Sequence, residues 1–162
     1  AGATPVLLHA PVQPADDLYR SLLKDPGIKR VINLWRHARC ALLGIGLPPR
    51  IRASLPAVLR RSGADLAAAE GDISNRTFDA AGRPVPFAGA EHMFAMGFDD
   101  LRRVPFSIGV AVGTGKAGTL VAAARGGYIN RLVTDAATAH AILDLPADGR
   151  AVRPRKRKVH DG

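Results

Sequence analysis

The stretch F-D-D-L-R-R-V-P-F-S-I-G-V-A-V-G-T-G-K, from Phe98 to Lys116, constrains the fold more than any other part of this 162-residue chain. Asp99 to Arg103 reads as a helical turn before Pro105. Ser107 to Val112 is a short apolar run of the kind found in strands covered on both faces, and it stops at Gly113, Thr114 and Gly115. Ala117 to Arg125, rich in Ala and Leu, reads as the helix that follows. A glycine turn between a strand and a helix start exposes backbone N–H groups beside the positive end of the helix dipole, and Lys116 adds a full charge there. The arrangement suits an anion. It suits equally a plain turn with a solvated lysine, because the spacing matches neither G-x-x-x-x-G-K-[ST] nor G-x-G-x-x-G.

The other elements alternate as in an α/β fold with a mostly parallel, Rossmann-like sheet. Val6 to Ala10 reads as a strand closed by Pro11. Ala15 to Lys24 reads as a helix with Leu18, Tyr19, Leu22 and Leu23 on one face, and Ile28 to Arg39 as a second with Val31, Leu34, Trp35 and Ala38 at helical spacing. Cys40 to Ile45 is a buried strand by its apolar content, and Pro48 and Pro49 open a loop. Leu55 to Arg61 and Ala64 to Glu70 read as short helices, and Asp72 to Phe78 as a strand. Asp79 serves a turn with Gly82. The region Met93 to Phe98 reads as a strand, Ile129 to Val133 as another, and Asp135 to Leu143 as the last helix. Residues 1–148 form one domain on this reading, and residues 149–162 a disordered basic tail.

Open α/β sheets bind ligands beyond the carboxyl ends of their strands. Three such ends carry glycine or polar turns: Gly46, the Gly113–Thr114–Gly115–Lys116 loop, and Asp135. Asp72, Asn75 and Arg76 sit on a further strand. Carboxylate, amide and guanidinium groups brought together there can hold sugar hydroxyls and phosphate. Asp135 also fits a helix N-cap, and Arg76 a structural salt bridge.

Five of the nine net positive charges fall in the tail, on Arg150, Arg153, Arg155, Lys156, Arg157 and Lys158 opposed by Asp161, so the body is only mildly basic. Such a tail attracts phosphate backbones weakly and without reading sequence, or simply keeps the chain in solution. No apolar run approaches the length of a membrane span and no secretory leader is visible, so a cytoplasmic chain with no membrane contact is expected. Absence of an initiator Met points to a cleaved or truncated chain. Cys40 is expected to be a buried, inert thiol.

Catalytic signals are sparse. The five histidines are scattered without metal-ligand spacing, Ser74 lacks a G-x-S-x-G context, and Glu91 with His92 reads as a loop pair. No metal, cofactor or catalytic residue is expected.

The ordered set A-L-L-G-I-G, G-D-I-S-N-R-T-F-D-A-A-G-R-P-V, F-D-D-L-R-R-V-P-F-S-I-G-V-A-V-G-T-G-K and R-L-V-T-D-A-A-T-A resembles the C-terminal sugar-binding domain of SorC-family bacterial transcriptional regulators, over roughly Val6 to Leu143. The resemblance implies a fold related to ribose-5-phosphate isomerase and glucosamine-6-phosphate deaminase. It implies an effector sensor for a phosphorylated sugar, joined to a helix-turn-helix that this chain does not contain, in a homo-oligomer, dimer or tetramer. It also implies that Lys116 contacts phosphate, that Asp72 meets sugar hydroxyls, and that Gly113 is the loop glycine. Val112 stands where the family more often has a first glycine, Thr77 where an aromatic is common, and Ala136 where an acid often follows the aspartate. The family's first βα units have no counterpart in Ala1 to Pro5, which implies a domain incomplete at its N-terminus or a short relative. An enzyme of the isomerase or deaminase class is the alternative.

Overall fold

The computed structural model describes residues 2–51, 59–60 and 66–146. Two helices open it: α1 (Asp16–Leu22), with Asp16 and Asp17 in its first turn, and α2 (Pro26–Arg36), with Pro26 at its start. Asp25 caps α2 by accepting from the Ile28 N–H at 2.9 Å, and the helix buries Ile28 and Val31. Strand β1 (Cys40–Gly44) follows, then a hairpin of β2 (Gly71–Ile73) and β3 (Arg76–Phe78), and the short β4 (Pro84–Val85). Helix α3 (Phe98–Arg103) leads into β5 (Phe106–Val110), and α4 (Ala117–Arg125) into β6 (Arg131–Val133). Helix α5 (Ala136–Leu143) completes the order.

The strands form two sheets. β1, β5 and β6 are parallel in the order β1-β5-β6, with Cys40 opposite Phe106 and Ile108 opposite Arg131. β2, β3 and β4 make an antiparallel sheet, tied to the first by an antiparallel bridge from Gly46 to Asp72. The core lies between these layers. Ile73 and Phe78 from the hairpin, Phe98 and Leu101 from α3, and Leu120 and Ala123 from α4 pack with Ala41, Leu43 and Ala111. Glycine is required at two close approaches. A Cβ on Gly71 would stand 2.3 Å from Thr119, and one on Gly82, at φ +78°, 2.3 Å from the Gly126 nitrogen. Tyr128 is fully buried there, its ring stacked on Phe98 at 3.9 Å and its hydroxyl donating to the Gly82 carbonyl at 2.5 Å.

Several elements differ from the sequence reading. Val6 to Ala10 forms no strand: Leu7 is 65% exposed and no neighbouring strand pairs with the segment. Asp72 to Phe78 is a hairpin rather than one strand, because Ser74 and Asn75 take φ of 51° and 64° and reverse the chain in two residues. The region Met93 to Phe98 is irregular; it buries Met93 and Phe94, and Phe98 already starts α3. Helix α2 ends at Arg36, and its expected apolar position Leu34 is 47% exposed. Strand pairing in the sixth strand begins only at Arg131, since Ile129 turns into the core. Leu55 to Arg61 lies largely outside the described residues, and what is described of Ala64 to Glu70 is a turn. The parallel strands are not covered on both faces. Ser107 and Gly109 are buried, whereas Phe106, Val110 and Val112 face outward, as do Leu42 and Cys40. Cys40 is therefore an exposed thiol, because β1 lies at the sheet edge.

Candidate functional site

Because β1, β5 and β6 run parallel, their carboxyl ends share one edge of the sheet. Gly46, the Gly113–Lys116 turn and Asp135 fall along it in the order of the strands. After β5, Gly113 takes φ 113° and ψ 126°, a conformation that favours glycine, and Thr114–Lys116 form one 3₁₀ turn that runs straight into α4. The turn is closed by the Lys116 N–H to the Gly113 carbonyl at 2.9 Å. Gly113, Thr114 and Gly115 are exposed, and among the described residues the N–H groups of Thr114 and Gly115 have no protein acceptor.

Lys116 reaches across to the next strand. Its ammonium donates to the Ile45 carbonyl at 3.0 Å, which sets it beside Gly46, and among the described residues two of its three N–H donors have no acceptor. Gly46 is held in turn by Asp72: the Gly46 N–H donates to the Asp72 carbonyl at 2.9 Å, and the Asp72 N–H to the Gly46 carbonyl at 3.4 Å. Asp72 itself is buried, and its Oδ2 accepts from the Asn75 N–H at 3.3 Å across the hairpin turn. Hydrogen bonds thus link Lys116 to Ile45, and the adjoining Gly46 to Asp72 and on to Asn75.

Asp135 is both an N-cap and the anchor of the glycine turn. Its Oδ1 accepts from the Thr138 N–H at 2.8 Å, while its Oδ2 accepts from the Thr138 hydroxyl at 2.7 Å and from the Gly113 N–H at 3.2 Å. Thr138 Oγ1 also accepts from the Gly113 N–H, at 2.8 Å. The hydrogen bonds from Thr138, helped by that from Gly113, hold the Asp135 carboxyl below the usual carboxylate range. Thr138 is a residue that sequence reasoning missed, and the spacing D-x-x-T at the start of α5 is the signal that could have found it. Arg76 goes elsewhere. Its guanidinium donates to the carbonyls of Ala90 at 2.9 Å and Ala95 at 3.2 Å, and it opens on a cavity of about 560 Å³ that Gly46, Lys116 and Asp135 do not line. Burial pushes its pKa down from the ordinary value. Among the described residues no cluster of His, Cys, Asp and Glu could hold a metal ion, and no helix is long and apolar enough to cross a membrane.

A parallel sheet with a glycine turn and a lysine at its carboxyl edge places the molecule among α/β domains that offer their strand ends to ligands. More narrowly, the chain belongs to the sugar-binding-domain family of SorC-type transcriptional regulators: the family described as "Putative sugar-binding domain" matches residues 1–144. The sorbitol operon regulator of Klebsiella pneumoniae is 31% identical over 143 residues, covering 86% of this chain and 44% of the regulator. The transcriptional regulator LsrR of Escherichia coli K12 is 43% identical over 76 residues, covering 46% of this chain and 24% of that protein. The crystal structure of full-length SorC from Klebsiella pneumoniae superposes with a TM-score of 0.70 at 29% identity, over 82% of this chain and 44% of that one. The chain spans less than half the length of these curated relatives. They are transcriptional regulators, not enzymes of the isomerase or deaminase class.

Proposed function

We propose that this chain is the effector-sensing domain of a regulator and that it binds a phosphorylated sugar at the carboxyl edge of the parallel sheet. The observation that carries the reading is the Lys116 ammonium, 3.0 Å from the Ile45 carbonyl, on the same turn that exposes Thr114 and Gly115. Lys116 and those two N–H groups take the phosphate. Gly46, without a side chain, lets the ligand approach the backbone, and Asp72 accepts from sugar hydroxyls. Asp135 acts through Gly113, holding the turn in its shape. Asn75 acts through Asp72, and Arg76 orders the loop beyond the hairpin. Kinship with the isomerase and deaminase folds is part of this reading, as are residues 1–148 as the binding unit and a cytoplasmic location. Binding favours one arrangement of a homo-oligomer, and the difference in affinity between arrangements, typically about 1–3 kcal/mol, changes the hold of an attached helix-turn-helix on DNA.

A charge-assisted contact to phosphate contributes about 1.5–3 kcal/mol. Lys116→Ala should therefore weaken a sugar phosphate by about 10- to 150-fold in calorimetric titration, while affinity for the unphosphorylated sugar stays constant. Equal affinities of the two proteins across a panel of sugar phosphates would remove Lys116 from the site.

A further inference from the structure

The cavity beside Arg76 lies apart from the strand-end edge. Its lining runs from Arg76 to Arg103, one continuous stretch that takes in β3, β4, the loop after them and α3. At about 560 Å³ it falls in the size range of small-molecule sites. Buried Phe87 and Phe98 stand in its wall, with Pro84, Val85 and Pro86 beside them. Arg76 is the group there that lacks a match. Two of its five N–H donors go to the Ala90 and Ala95 carbonyls, and its Nε is buried with no hydrogen-bond partner. Among the described residues no carboxylate stands within ion-pair distance of it. Burial works against its charge, and nothing in direct contact repays that cost.

A half-buried guanidinium without an anion of its own is completed by one that enters from solution. We propose that the cavity is a second binding site, for a small organic monocarboxylate with an apolar body, the carboxylate on Arg76 and the body against Pro84, Pro86, Phe87 and Phe98. The planar fork of a guanidinium matches the two oxygens of a carboxylate. Asp99 and Asp100 set the charge that is accepted. Both line the cavity from α3, Asp99 paired with Arg102 at 2.7 Å and Asp100 with Arg103 at 3.3 Å, and their carboxylates oppose a dianion such as a phosphate monoester more than a monoanion. The cavity therefore differs in chemistry from the lysine and glycine turn, and none of Gly46, Thr114, Gly115 and Lys116 lines it.

Calorimetric titration of the full chain with hexanoate and with hydrocinnamate should show saturable binding, at least about tenfold tighter than for the matching amides or for inorganic phosphate. In amide NMR spectra hydrocinnamate should move the signals of Val85, Ala90 and Gly97 and leave those of Thr114, Gly115 and Lys116 in place. Arg76→Lys keeps the charge but loses the fork, and should weaken hydrocinnamate by about tenfold. Because Arg76 also ties the loop at Ala90 and Ala95, Pro86→Glu tests the wall separately: the position is exposed, so the fold is kept, and a carboxylate placed there should weaken the acids by a similar factor and leave the amides unaffected. Failure of both acids to bind, equal affinity for acids and amides, tighter binding of phosphate, shifts confined to the glycine turn, or unchanged affinity in Pro86→Glu would each overturn the proposal.

Discussion

Thr138→Val isolates the clamp that shapes the glycine turn. Valine keeps the volume of a side chain that is fully buried, but removes a hydroxyl that donates to Asp135 at 2.7 Å and accepts from the Gly113 N–H at 2.8 Å. Gly113 is exposed and its N–H can turn to water, so that part of the loss is small. Thr138 is fully buried, and loss of the hydrogen bonds of a buried hydroxyl sets a net cost of about 1–2 kcal/mol. For a domain of this size that is a fall in Tm of about 2–8 °C by calorimetry. A second signature comes from Asp135. Its carboxyl is held below the ordinary value by the Thr138 N–H, the Thr138 hydroxyl and the Gly113 N–H, so its contribution to stability is present above the unfolded-state pKa of about 4 and is lost as pH falls through the folded-state value. In Thr138→Val that acid-side loss should be smaller. Ligand affinity should drop as well, because the Gly113 N–H keeps only its longer bond to Asp135 and the turn is held less firmly. An unchanged Tm together with an unchanged acid limb would refute the clamp.

Gly82→Ala should destabilise by about 2–4 kcal/mol in urea unfolding, since a Cβ at φ +78° would meet the Gly126 nitrogen at 2.3 Å and the Ala122 carbonyl at 2.6 Å. For Asp79, burial pushes the carboxyl up, but hydrogen bonds from Arg83 and Ala81 and the Arg83 charge outweigh it and leave the pKa lowered. Asp79→Asn should accordingly lower Tm at neutral pH and flatten its decline below about pH 4, in a pH series of thermal melts. Deleting Arg150 to Gly162 removes six basic residues and should cut binding to scrambled duplex DNA and reduce its salt dependence, measured by fluorescence anisotropy.

The parts of the fold legible in the sequence are those whose signal is local. Ala117–Arg125 is helical over the segment that its Ala and Leu content marks, and Asp135 caps α5 as its position ahead of A-A-T-A suggests. What failed depended on partners. V-L-L-H-A has the composition of a strand, yet composition cannot supply the neighbour a strand must bond, and residues 6–10 stay irregular. The run from Asp72 to Phe78 reads as continuous because Ser-Asn is a weaker turn signature than Asn-Gly, although Asn tolerates positive φ. The apolar run at Ser107 cannot say which of its faces is covered, since alternation disappears when both sides are apolar.

The site divides along the same line. Gly113, Thr114, Gly115 and Lys116 are contiguous, so a glycine turn before a helix identifies them together. Gly46 and Lys116 are 70 positions apart, and only the parallel pairing of β1 with β5 brings the lysine to the Ile45 carbonyl. Arg76 shows the limit of reasoning by residue type. A guanidinium near polar strand ends suits a phosphate, but the hairpin that reverses at Ser74 and Asn75 carries it away, onto the carbonyls of Ala90 and Ala95. Asp72, which precedes the reversal, stays at the edge. A two-residue turn therefore decides which of two charged neighbours stays at the strand-end edge, and lengthening that turn should disturb Asp72 and the loop held by Arg76 together, while leaving Lys116 in place.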